Sequence, residues 1–155
     1  MQATNFLRYA GVSLTIAFIA STAIAQESNF GKLALNQNNS SGTLRGTTGG
    51  SASLPGIVSN SDRNNHKCLG YADPKPDHLL ILEKPFATLT LRVRSNTDTT
   101  LVVQGPNGIV RCADDAGSNK NASITDSDWQ PGIYKIWVGT ADPATQRDYL
   151  LTVQP

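Results

Sequence analysis

The sequence predicts an all-β protein, an antiparallel two-sheet β-sandwich of jelly-roll-like form with about eight strands, forming one domain after a signal peptide. Three observations predict it. Short apolar runs of five to eight residues recur between turn-forming clusters. The clearest of them alternate polar and apolar side chains with period two, the pattern of a half-buried strand. No segment beyond the first 25 residues shows a 3.6-residue periodicity, so helices supply little of the fold.

Residues 1–25 read as a secretory signal. Arg8 provides a weakly positive start, Ala10 to Ala20 an apolar stretch, and Ala23-Ile24-Ala25 a small-x-small cleavage site. An uncleaved anchor is the alternative, but the apolar stretch is short and wrongly flanked for one, and no later run is long enough to span a bilayer. Cleavage takes away one Arg and no acid, leaving twelve charges of each sign. A neutral chain without basic clusters argues against nucleic acid and against an anionic membrane surface as partners. The expected location is secreted or periplasmic.

Residues 26–42 are rich in Asn and Ser and read as a flexible polar lead-in, with the domain proper over 43–155. Phe30 to Leu35 and Thr43 to Arg45 are candidate edge strands. Asp73 to Asp77 (DPKPD) is a stiff connector, because each Pro restricts itself and its predecessor. Leu79 to Leu82 is a short apolar strand. Across Ala87 to Arg94, Leu89, Leu91 and Val93 face one way and Thr90, Arg92 and Arg94 the other. Thr100 to Gln104 and Ile109 to Arg111 form a hairpin around Gly105-Pro106-Asn107-Gly108, in which Pro presets one dihedral and Asn or Gly accepts a positive φ. Ile133 to Gly139 places Tyr134, Ile136 and Val138 inward. Asp148 to Val153 does the same with Tyr149, Leu151 and Val153. Trp129, beside Pro131, is expected to plug one end of the sandwich.

The hairpin delivers Cys112, Asp114 and Asp115 to one sheet edge. Both cysteines, Cys68 and Cys112, lie in the exported part, where one disulfide is the simplest pairing. The 45-residue loop it would close, from Cys68 to Cys112, is worth about 4 kcal/mol in the chain-entropy model. A zinc site from His66, Cys68, His78 and Cys112 is the alternative, although the spacing matches no standard zinc module.

Several stretches of the C-terminal half resemble one known family. They are Asp98-Thr99-Thr100-Leu101-Val102-Val103, the Gly105–Gly108 turn, Cys112-Ala113-Asp114-Asp115, Pro131 to Gly139 (PGIYKIWVG), and Tyr149-Leu150-Leu151-Thr152-Val153. In order and spacing they are similar to the bacterial pre-peptidase C-terminal domain, a secreted β-sandwich often appended to exported peptidases. The match is strongest over 78–155. The chain has no room for a peptidase domain. The resemblance implies calcium in some members.

Calcium takes 6 to 8 oxygen ligands in flexible geometry. Asp98, Asp114, Asp115, Asn119 and Asn121 offer hard oxygens around one hairpin end, although not in EF-hand spacing. The competing reading makes Asp114 and Asp115 solvated turn residues and Asp98 a turn cap. Catalysis has little to stand on: there is no Gly-x-Ser-x-Gly elbow, no His-Glu-x-x-His and no phosphate loop. His66 and His78 beside Asp62 or Asp77 are the only candidate bases. Surface or capping roles are the commoner reading, and a cleft holding His and Asp together would revive a small hydrolase.

The expected role is a non-catalytic, calcium-stabilised binding module for a polysaccharide, an envelope component or a protein. The alternative is an interaction module assisting a separately encoded exported peptidase. Trp137 shares a strand face with Lys135, opposite the core stripe. Exposed, it would be a sugar-stacking platform; folded under residues 43–58, it would be a structural contact, and that is the expected arrangement.

Overall fold

The computed structural model describes residues 27–115 and 120–155. The segment expected to be a secretory signal lies outside them, as does Asn119. The strands are β1 (Lys32–Leu35), β2 (Gly42–Thr47), β3 (Ala52–Ser53), β4 (Tyr71–Ala72), β5 (His78–Leu82), β6 (Phe86–Arg94), β7 (Thr99–Gln104), β8 (Val110–Ala113), β9 (Ser123–Trp129), β10 (Gly132–Thr140) and β11 (Asp148–Gln154). Among the described residues there is one α-helix, α1 (Leu54–Ile57), which carries Pro55 in its first turn, where a missing N–H costs nothing.

The strands form two sheets. In the first, β10 is central: it pairs with β5 on one side and β7 on the other, β1 extends beyond β5, and β8 beyond β7. Beyond the end of β5, β10 also meets β4, which pairs with β3. The second sheet has the order β2-β11-β6-β9. All pairs are antiparallel except β1 with β5, which is parallel. That pair departs from the purely antiparallel sandwich. It also puts an edge strand inside the stretch expected as a polar lead-in, and Leu35 at its end is fully buried in the core.

The two inner faces meet as the period-two reading predicts. Leu89, Leu91 and Val93 of β6 and Tyr149, Leu151 and Val153 of β11 oppose Tyr134, Ile136 and Val138 of β10 in one buried cluster. The β7–β8 turn places Asn107 at φ 59° and Gly108 at φ 73°, the left-handed region that these two residue types tolerate. Trp129 ends β9 in the core, where its indole N–H donates to the Asp126 carbonyl at 2.8 Å.

Where β5 stops short along β10, a side chain takes over the pairing. The Val138 N–H donates to Asp77 Oδ2 at 2.8 Å. Next to it His78 is fully buried: its Nε2 meets the Tyr149 hydroxyl at 2.8 Å, and the ring lies edge-on to that of Tyr149 and tilted against Phe30. His78 is therefore a core residue, in place of the surface or capping histidine that the sequence suggests. Burial pushes the Asp77 carboxyl up to about 7, and the negative Asp73 nearby adds to the shift. Burial pulls the His78 imidazole down to about 4.

Candidate functional site

The cysteine pair fixes one wall of the site. Cys68 and Cys112 form a disulfide with Cα atoms 5.2 Å apart, within the range expected for a bridge. With both sulfurs bonded to each other and His78 in the core, the zinc alternative falls. The loop carrying Cys68 is held on β8 by Asp62, whose carboxylate accepts the amides of Asn64 (2.8 Å), His66 (2.9 Å) and Cys112 (3.2 Å). His66 Nδ1 stands 3.2 Å from Asp62 Oδ2. Burial works against the charged form of Asp62, but the amides of Cys112, His66 and Asn64 outweigh it and hold the carboxyl below its ordinary value. Replacing both cysteines by Ser is expected to cost roughly 2–4 kcal/mol of stability. Urea unfolding with and without reductant checks it, and a midpoint that reductant leaves unmoved overturns it.

The hairpin brings three of the five expected oxygen donors together. Asp98 enters β7 and Asp114 and Asp115 leave β8, so all three stand at the open end of one strand pair. One carboxylate oxygen from each lies within 4.8 Å of the other two. Burial, then Asp115 and Asp98, push the Asp114 carboxyl above its usual value. Asp98 Oδ1 is buried and has no hydrogen-bond partner among the described residues. Its other oxygen is 3.9 Å from the Lys120 ammonium. Three crowded carboxylates with Lys120 as their one ion-pair partner among the described residues are short of positive charge, and they suit a hard divalent ion chemically. Asn121 lies on the same side of Asp98, but its Oδ1 accepts the Ser95 N–H at 2.9 Å and so ties down the β6–β7 turn.

Beside the acids, a groove of about 420 Å³ runs between the edges of β8 and β9. Its walls are the 62–69 loop and Ser123 to Asp126, with Asp114 and Asp115 at one end. The other end is closed by Arg111, which is buried. Its Nε donates to Asp126 Oδ2 at 2.7 Å, its Nη2 to the carbonyls of Ser127 (3.0 Å) and Asp128 (3.1 Å), and its guanidinium sits 4.0 Å over the Trp129 ring. In sequence Arg111 reads only as the end of a strand. Its role is set by a strand fifteen positions away, and no local pattern announces it. Asp62 and His66 share this groove, the pairing that would revive a small hydrolase. Both Asp62 oxygens are engaged by backbone amides, however, and among the described residues no hydroxyl hydrogen-bonds to His66.

Trp137 is on the outer face of β10, as the alternation requires, and it is only 3% exposed. It packs with Leu54, Ala72, Val102 and the Cys68–Cys112 bridge, with Ile57 and Val58 against them. Its indole N–H points to the Pro74 carbonyl at 3.4 Å. The cover comes from α1, inside the 43–58 stretch expected to supply it. At Gly139 an added Cβ would meet the Tyr71 carbonyl and Leu54, so a side chain there would push this cover off the strand. The indole presents no face to a sugar ring, which corrects the stacking platform considered for Trp137.

Fold and site together define a disulfide-linked two-sheet β-sandwich with an acidic cluster at one end. The chain is similar to the solved pre-peptidase C-terminal domain of a collagenase from Bacillus anthracis, at 15% identity and a TM-score of 0.49, over 83% of this chain and 96% of that one. No protein-family model matches the chain, and no curated protein does. Among the described residues no helix is long and apolar enough to cross a membrane.

Proposed function

We propose that this chain is an exported, non-catalytic β-sandwich binding module stabilised by calcium, with a protein or envelope component as its partner. The observation that carries the reading is the meeting of Asp98, Asp114 and Asp115 within 4.8 Å. The acids come from the two ends of one hairpin, so an ion between them would tie the β6–β7 turn to the segment after β8. The sequence resemblance over 78–155 supports the same reading. The burial of Trp137 removes the feature that favoured a polysaccharide.

Binding of calcium to the folded state alone stabilises by mass action, by about 2.7 kcal/mol at a hundredfold excess over the dissociation constant. A melting temperature that rises with calcium and falls with chelator is therefore expected. Asp114→Asn removes the response. Calorimetry without heat on calcium addition, together with a chelator-insensitive melt, sinks the calcium reading.

A further inference from the structure

The open side of the sandwich, where β8 and β9 end their sheets, is guarded along most of its length. On β8 the Arg63 N–H caps the Val110 carbonyl at 3.1 Å, and Asp62 takes the Cys112 N–H. At the far end of β9, Arg63 and Arg111 cap the Ser127 carbonyl, and Arg111 caps that of Asp128. Exposed sheet edges are templates for strand pairing, and capping of this kind is how proteins block it.

One stretch of β9 has no cap. In an antiparallel ladder, successive residues turn their N–H and C=O alternately toward and away from the partner strand. Two contacts fix the phase here. The Ala122 carbonyl accepts the Val93 N–H at 3.0 Å, so residue 122 faces β6. The Ser127 carbonyl is held by arginines from outside, so residue 127 faces away. The register between them is continuous, which turns the backbone groups of Ser123 and Thr125 outward. No described residue hydrogen-bonds to those outward groups, and both residues line the groove beside β8.

We propose that this groove takes an extended peptide segment carrying a basic residue, added as a short strand to Ser123–Thr125 of β9. The backbone pattern asks for an extended chain, whose alternate N–H and C=O groups complete the four left open. Charge selects its side chain: Asp62, Asp114, Asp115 and Asp126 line the groove against two permanent cations, Lys67 and Arg111. A lysine or arginine on the segment meets Asp114 and Asp115 at the open end. Leu69, 45% exposed on the loop wall, receives a neighbouring apolar side chain.

The test uses the mature chain, in chelator so that Asp114 and Asp115 are free. The probe is a pool of capped pentapeptides with lysine at the centre and Val, Ile or Thr elsewhere. Binding is read by NMR on the Ser123 and Thr125 amides. Both amides are expected to shift and to exchange about tenfold more slowly with peptide, and a pool N-methylated at alternate positions is expected to do neither. Thr125→Pro deletes an outward N–H at an edge position that tolerates Pro, and is expected to weaken binding about tenfold. If that variant does not fold, the N-methylated pool carries the same comparison from the ligand side. The proposal is overturned by amides that stay unmoved up to about 1 mM peptide, the weak limit of specific affinity. It is also overturned if the N-methylated pool binds equally well. A shift driven by protein concentration alone would place a second copy of the chain on the edge and likewise refute it. Calcium is read by melting and peptide by these amides, so either reading can fail without the other.

Discussion

Trp137→Ala is expected to lower the stability of the domain by roughly 3–5 kcal/mol, the range for emptying a buried aromatic site. The indole is the largest member of a small second cluster on the outer face of β10, beneath α1 and against the disulfide. Removing it leaves a void between a four-residue helix and the sheet. A helix that short has little stability of its own and depends on this packing. The loss should therefore include loosening of the 54–58 segment, visible as faster exchange of the Val58 amide, which donates to the Leu54 carbonyl at 3.0 Å. Trp137→Phe should recover part of the loss. A Trp137→Ala protein that unfolds within about 1 kcal/mol of the parent, the range of ordinary single substitutions, would mean that the cover is not packed on the strand.

That Trp137 needed cover was legible in the sequence, because period two fixes which side of β10 it occupies. The cover itself comes from a helix of four residues, too short to leave a periodic signal. The same division runs through the fold. Strands β6 and β11 bury alternate side chains in one core and show it as alternation, as do Tyr134, Ile136 and Val138 of β10 on its inner face. Strand β9 leaves no alternating signal, because it buries only Ile124 and Trp129 and carries Asp126 and Asp128, which strands disfavour. Its place is fixed by β6 on one side and Arg111 on the other, and both are distant in sequence. The disulfide and the three acids were legible because few residue types can do their work. Asp62, Arg111 and His78 were not, since their partners are backbone groups or side chains brought near only by the fold.

The last expected result concerns two buried titrating groups that act in opposite directions. Asp77 is 4% exposed and has no ion-pair partner among the described residues; its neighbours are Asp73, Asn29, His78 and Tyr149. Its folded carboxyl sits at about 7 against a model value of 3.8. Between those values the native state holds a proton that the unfolded chain has lost, so stability falls as pH rises through the window. At 1.36 kcal/mol per pH unit the full loss is about 4 kcal/mol, complete above pH 7. His78 works the other way. Its folded value of about 4 lies below the unfolded 6.5, so its contribution is present above pH 6.5 and is lost as pH falls toward 4. In the parent chain the two slopes largely cancel between pH 4 and 6.5. Asp77→Asn keeps an oxygen for the Val138 N–H, and Asn29 can turn its carboxamide to match. The variant removes only the Asp77 slope. Its stability relative to the parent is expected to grow from pH 4 to pH 8 by about 4 kcal/mol, leaving the His78 rise exposed in its own profile. Denaturant unfolding of the two proteins across that range checks it. A difference that stays constant with pH would show that the Asp77 carboxyl ionises normally in the fold, with Val138 and Asn29 holding it as a carboxylate.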